Sequence, residues 1–209
     1  MTEIRVAVLG ASGWMGKVHT MAWATYPHFF AQAPRARVTA LVTANPAAVP
    51  DLAARAPGAR VLTDWQDAVN DPEIDLIDIC LPDHLHFPVA KAALLAGKHV
   101  YCEKPLAPLA QDAYEMALAA EAAGVKTQVG FNYLCNPMLG LAREMIAAGE
   151  LGEIRGYRGI HCEDYMADAN GPYTFRHDPV GGGALADIGS HALATAEFLC
   201  GPITRVMGD

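Results

Sequence analysis

Short apolar, β-rich runs alternate with longer helical stretches through the first 130 residues. Ile4–Leu9 is the first run, and a helical pattern follows from Lys17 to about Tyr26. Val38–Val42 is the second, and Asn45-Pro46 then opens a helix ending near Pro57-Gly58. Thr63-Asp64-Trp65-Gln66 has capping-box spacing for a short helix through Val69. Asp71-Pro72-Glu73 reads as a turn, and Ile74–Cys80 as a buried strand ending at Leu81-Pro82. Asp83-His84-Leu85-His86 opens a helix closed by Gly97 as a C-cap. Gly97–Val100 reads as a strand, Leu109–Ala123 as a helix stopped by Gly124, and Lys126–Val129 as the last strand. Strands and helices alternating at these lengths imply right-handed crossovers and a parallel sheet. The predicted class is α/β, a Rossmann-type doubly wound sheet over residues 1–130, counted as a six-stranded domain although only five runs are placed.

The pattern changes after residue 130. Phe131-Asn132-Tyr133 closes the sixth strand, and a helix runs from about Pro137 to Ala148, ended by Gly149. Leu151-Gly152-Glu153 is a turn, and Ile154 to Asp164 alternates loosely, as the first strand of a second sheet would. Tyr165 to Val180 is loop-like, and a helix is predicted from near Ala184 to Leu199. Residues 131–209 thus read as the start of an α+β substrate and oligomerisation domain with an open mixed sheet.

The 209 residues are 52% hydrophobic and 18% charged, which describes a globular chain and not a disordered one. A formal charge of -8 gives no footprint for nucleic acid. No apolar run approaches the roughly 18–20 residues of a spanning helix, and the first residues do not resemble a signal peptide, so a cytoplasmic protein without membrane partners is expected. The five cysteines are scattered without a CxxC pair, so no metal centre is expected from them.

Two motifs carry chemistry. Gly10-Ala11-Ser12-Gly13-Trp14-Met15-Gly16 follows the first strand and opens a helix. In that setting glycines let the backbone approach a pyrophosphate, whose charge meets free amides at the helix start. The spacing, G-x-x-G-x-x-G, is one residue longer than the usual fingerprint, and Ser12 precedes the second glycine. After the second strand, Thr43-Ala44-Asn45 offers neither the carboxylate that selects NAD nor an adjacent arginine for NADP, so the cofactor is NAD or NADP. Lys104, in Tyr101-Cys102-Glu103-Lys104-Pro105, stands at the carboxyl end of the fifth strand, where open α/β sheets place ligands. His84 and His86 stand at another strand end, as candidate cofactor and substrate contacts. Asn132 and Tyr133 reach toward the same region, and Arg176, in Arg176-His177-Asp178-Pro179, is a further candidate substrate contact. The second motif follows three glycines: Asp187 and His191 sit at i and i+4 on one helix face, among apolar neighbours. His161, Glu163, Asp187 and His191 also compose a rival set for a metal-dependent sugar isomerase, though without clustered ligand spacing.

Together the glycine turn, Glu103-Lys104-Pro105 and Asp187-x-x-x-His191 resemble the Gfo/Idh/MocA oxidoreductases, the glucose–fructose oxidoreductase and inositol 2-dehydrogenase group. The resemblance runs along essentially the whole chain. It implies a nicotinamide cofactor held through Gly13, Trp14 and Met15, with Leu81, Pro82 and Glu103 near the ribose and nicotinamide. It also implies that Lys104, Asp187 and His191 act on a hydroxyl of a sugar or polyol, transferring a hydride to or from the cofactor. Family members normally continue further and form homo-oligomers. The chain is therefore expected to be truncated in its C-terminal domain, and a catalytically inactive dinucleotide-binding module is the alternative.

Overall fold

The computed structural model describes residues 3–174, 177 and 183–208. It divides into two compact units, Met1–Gly130 and Phe131–Asp209. In the first, β1 (Ile4–Leu9), β2 (Ala36–Val42), β3 (Arg60–Leu62), β4 (Leu76–Ile79), β5 (His99–Cys102) and β6 (Thr127–Val129) form one sheet. All five pairings are parallel, in the order β3-β2-β1-β4-β5-β6. This is a Rossmann order, which reverses direction at β1 and β4 and opens a ligand crevice at their carboxyl ends. β3 is not among the apolar runs read from the sequence. It has only three residues at the far side of β2, so it leaves little pattern to detect.

Period-two alternation explains the two covered faces. From β1, Val6 and Val8 pack with Leu41 and Leu52 in one cluster, to which Trp23 of α1 (Trp14–Phe29) adds. Ala7 and Leu9 turn to the other face and meet Ile77, Ile79 and the buried residues of α3 (Trp65–Asn70), α4 (His86–Leu95) and α5 (Ala110–Ala123). The remaining first-unit helix, α2, is Val49–Arg55. α1 begins at Trp14, three residues before the predicted start, because the glycine turn feeds straight into it. A single 3-10 turn, Asp83–Leu85, precedes α4. Gly124 ends α5 at φ 65°, its amide meeting the Ala120 and Glu121 carbonyls, a left-handed cap that favours glycine.

In the second unit, a 3-10 turn (Asn132–Cys135) leads to α6 (Pro137–Ala147). Asn136 Oδ1 accepts from the Met138 amide at 2.9 Å, and Pro137 takes the first helical position, where no amide is needed. A wide π-turn, Leu185–Gly189, then runs into α7 (Ser190–Cys200). The Arg143 guanidinium lies over the Phe198 ring at 4.6 Å, joining α6 to α7.

Two expectations change here. The strand read over Ile154 to Asp164 is not formed, and no strand lies among the described residues of this unit. A strand needs a ladder partner for its amides and carbonyls, and alternation alone does not supply one. The helix read from Ala184 is also not uniform. Its first part is the π-turn, so Asp187 and His191 do not share the simple i, i+4 stripe of an α-helix. The run Gly181-Gly182 lies outside the described residues.

Candidate active site

The glycine turn after β1 is shaped by close backbone approach. Gly10 has φ +77°, and a Cβ there would sit 2.4 Å from the Cys80 carbonyl oxygen at the end of β4. A Cβ on Gly16 would lie 2.3 Å from the Gly10 oxygen and 2.6 Å from the Ala11 Cα. Both positions therefore require glycine. Gly13 precedes α1 in extended conformation, with no side-chain cap and no acidic residue in the first helical turn. The leading amides, those of Trp14 and Met15 among them, are left for an anion, and such a cradle fits the pyrophosphate of a dinucleotide. Trp14 is an exposed ring at this turn. Ser12 Oγ and Thr43 Oγ1 lie 2.9 Å apart, tying the turn to the end of β2. Thr43 is buried, and its hydroxyl also accepts from the Asn45 amide at 3.1 Å.

Glu103 and Lys104 follow β5. The Glu103 amide donates to the Ile79 carbonyl at 2.9 Å, and Glu103 Oε2 accepts from the Lys104 amide at 3.3 Å. A Cβ on Gly130, just after β6, would fall 2.5 Å from Glu103 Oε1, so that glycine makes room for the carboxylate. Lys104 is half-buried, and its bond to Pro105 is cis. Leu81 and Pro82 follow β4. His84 is largely exposed, 4.0 Å from Asp83. His86 departs from the expectation that it reaches substrate. It is buried, with Nδ1 2.8 Å from the Pro105 oxygen and Nε2 2.8 Å from the Leu81 oxygen. Both ring nitrogens are thus occupied in holding together the segments that follow β4 and β5.

Sequence reasoning passed over the polar cluster behind this turn. His19 of α1 lies 2.9 Å from Asp78 Oδ1 through Nδ1 and 3.1 Å from Glu103 Oε1 through Nε2. Trp23 Nε1 donates to Asp78 Oδ2 at 2.6 Å. Burial alone would lower the pKa of His19, but hydrogen bonds to Asp78 and Glu103 outweigh it and push the ring up to about 9. The same burial, with both carboxylates nearby, pushes the Cys80 and Cys102 thiols up, away from thiolate chemistry. The signal was available: Asp78 is a charge inside an otherwise apolar strand, and such a group needs a buried partner.

The second unit gathers its candidates around rings. Tyr133 lies 4.3 Å from the His191 ring centroid and stacks on His161 at 5.5 Å. Phe131 meets His191 edge-on at 6.0 Å. His161 Nε2 is 2.8 Å from Glu163 Oε1, which the Tyr133 hydroxyl approaches at 3.4 Å. The Tyr165 hydroxyl donates to Asp187 Oδ2. His191 is buried, whereas Asn132 and Tyr133 are exposed. His161, Glu163 and Tyr165 therefore join the predicted residues of this unit. Arg176 lies outside the described residues.

Comparison with known proteins bears on what these sites belong to. Residues 4–131 match the model of the Gfo/Idh/MocA oxidoreductase family, NAD-binding Rossmann fold, and residues 140–209 match the Gfo/Idh/MocA C-terminal domain. Levoglucosan dehydrogenase of Pseudarthrobacter phenanthrenivorans is 37% identical over 209 residues, 99% of this chain and 53% of the relative. Inositol 2-dehydrogenase of Corynebacterium glutamicum is 31% identical over 160 residues, 76% of this chain and 45% of the relative. A solved structure of levoglucosan dehydrogenase in complex with NADH and levoglucosan superposes with a TM-score of 0.90 at 37% identity, covering 96% of this chain and 55% of that one. The chain spans about half the length of the relatives it matches. Matched over most of its residues by both domains, the chain belongs to the Gfo/Idh/MocA oxidoreductase family.

Proposed function

We propose that the chain carries the cofactor cradle and catalytic residues of an NAD-dependent dehydrogenase acting on a secondary alcohol of a sugar or polyol. The observation that carries this reading is the first unit's sheet. Its glycine cradle follows β1, and the Glu103–Lys104 turn follows β5, both at the carboxyl ends of one parallel sheet. Relatives whose names specify levoglucosan, xylose and inositol dehydrogenases support the substrate class. NADH in a relative's structure favours NAD over NADP.

A dinucleotide held at this cradle by its pyrophosphate would supply its nicotinamide as acceptor of the hydride from the alcohol carbon. The residues of the chain handle the accompanying proton. His191 takes the hydroxyl proton as general base, a task suited to imidazole. Lys104 stabilises the negative charge that develops on the substrate oxygen. Asp187, held by Tyr165, orients the proton-transfer group. Tyr133, with Asn132, His161 and Glu163, offers ring faces and polar tips to a sugar, and Arg176 is kept as a further contact. His84, Leu81, Pro82 and Glu103 border the nicotinamide end. Domain boundaries at 130/131, a homo-oligomer and a cytoplasmic location belong to the same reading. The described cysteines, which are all free, suit a reducing compartment.

Nicotinamide absorbance with NAD and NADP against a panel of aldoses, inositols and anhydrosugars tests it. Sugar-dependent reduction of NAD is the expected result. Saturable NADH binding without reduction would favour a dinucleotide-binding module instead, and failure to bind either nucleotide would sink both readings.

A further inference from the structure

His19 has no part in the reaction outlined above, yet it sits where three elements of the first unit converge. Its side chain is 11% exposed, against 0% for Asp78 and 9% for Glu103. An ionised carboxylate only accepts hydrogen bonds, so a ring between two of them needs an N–H on each nitrogen. The other groups around it are the Trp23 indole N–H on Asp78, the Cys80 thiol 3.6 Å from Asp78 Oδ1, and the Tyr101 ring edge-on at 5.3 Å. Glu103, held by His19 through Oε1, receives the Lys104 amide on Oε2. A link of side chains thus runs from the helix that starts at the glycine cradle to the backbone of Lys104.

We propose that His19 is a positioning residue for Lys104: by holding Asp78 with one ring nitrogen and Glu103 with the other, it fixes the Glu103–Lys104 turn against α1 and sets the orientation of the Glu103 carboxylate. The inference rests on the dehydrogenase reading, in which Lys104 manages charge at the substrate oxygen. Removing the ring leaves two buried carboxylates without their shared donor. A negative charge released beside Lys104 stabilises its ammonium form and raises its pKa. A ring that serves only to fill space would have no such effect.

Amine-selective labelling of Lys104, read by peptide mass spectrometry across a pH series, measures that pKa without sugar or turnover. The wild-type chain is compared with His19→Ala and His19→Gln, each checked for folding by circular dichroism. In His19→Ala the labelling midpoint should rise by about one pH unit, or about tenfold slower labelling at a fixed pH below it. His19→Gln, whose amide keeps a donor for one carboxylate, should shift less. An unchanged midpoint in a folded variant overturns the proposal. If neither variant folds, NMR titration of the His19 ring in the wild-type chain decides. A doubly protonated ring through neutral pH supports the proposal, and titration near the ordinary value of about 6.5 overturns it. NADH binding to the wild-type chain, followed by fluorescence, separately tests the dehydrogenase reading. Its absence alongside a shifted Lys104 midpoint would remove that reading and leave the link between His19 and Lys104 in place.

Discussion

The two units treat polar residues in opposite ways. In the first, His19, Asp78, Glu103 and His86 are buried or nearly so, and each is bonded to another element of the same unit. In the second, Tyr133, Glu163 and Tyr165 stack or pair at the surface, with His161 partly covered and one ring of the cluster, His191, buried. A buried polar network is stable only when its members satisfy one another, and it holds a single geometry once they do. An open cluster of rings holds its members less tightly and adapts more readily to a partner. Under the proposed function, the first unit suits a cofactor that is the same for every substrate, and the second suits the variable part of a sugar.

Substitutions within the first unit should separate the reacting group from the cofactor cradle and from the buried polar network. The largest expected effect is that of Lys104→Ala. Under the proposed reaction it should lower kcat by about 10²–10⁴-fold while NADH affinity, read by fluorescence titration, stays within about threefold. An equal loss in both would mean that Lys104 is part of the cofactor cradle and not of the reacting group.

Stability against pH comes next. The folded pKa of His19, about 9, lies above its ordinary value, so the stabilisation is complete below about pH 6.5 and is lost as pH rises through about 9. The ring is only 11% exposed, so the contribution is on the order of 3 kcal/mol. Urea unfolding midpoints at about pH 6 and about pH 10 should differ accordingly, and Asp78→Asn should flatten the difference. A midpoint that holds or rises over that range would show that the cluster is not charged as described.

Gly16→Ala drives a Cβ into the Gly10–Ala11 backbone. It should cost about 1–3 kcal/mol in thermal or urea unfolding and weaken NADH binding at the same time. Binding retained at full strength would mean that the cradle is not where the dinucleotide sits. The smallest effect belongs to Asp75, whose pairing with Arg5 holds its pKa down at about 2, against the opposing effect of burial. That contribution is present above the ordinary carboxylate range and is lost as pH falls toward 2. Both side chains are about one-third exposed, so Asp75→Asn should fall within the range of ordinary surface substitutions in urea unfolding at neutral pH.

The same contrast marks what could be read from the sequence. Five of the six strands of the first unit were visible because buried strands and Gly-capped helices are written locally, as apolar runs and terminators. Arg60–Leu62 was not visible, since a three-residue strand shows no period. Gly10, Gly16 and Lys104 could be found because each stands beside a strand end. His19 and Asp78 were missed because their meaning is mutual, across 59 residues of chain. His86 was read as facing a ligand from its strand-end position, yet two carbonyls, one of them 19 residues away, occupy its ring. In the second unit, residues 154–164 alternate without a pairing partner, and the Asp187–His191 spacing assumed an α-helical turn where a π-turn stands. Both errors come from local periodicity, which does not report pairing or helix type.

Under the proposed function, hydride leaves a sugar carbon for the nicotinamide under the control of Lys104. Turnover with a sugar deuterated at the reacting carbinol carbon, followed by mass spectrometry of the nucleotide, tests it most directly. The expected product is NADH carrying the deuterium with the wild-type chain, and far less of it with Lys104→Ala. Reduced nucleotide without deuterium, or labelled NADH formed equally well by the variant, would contradict it.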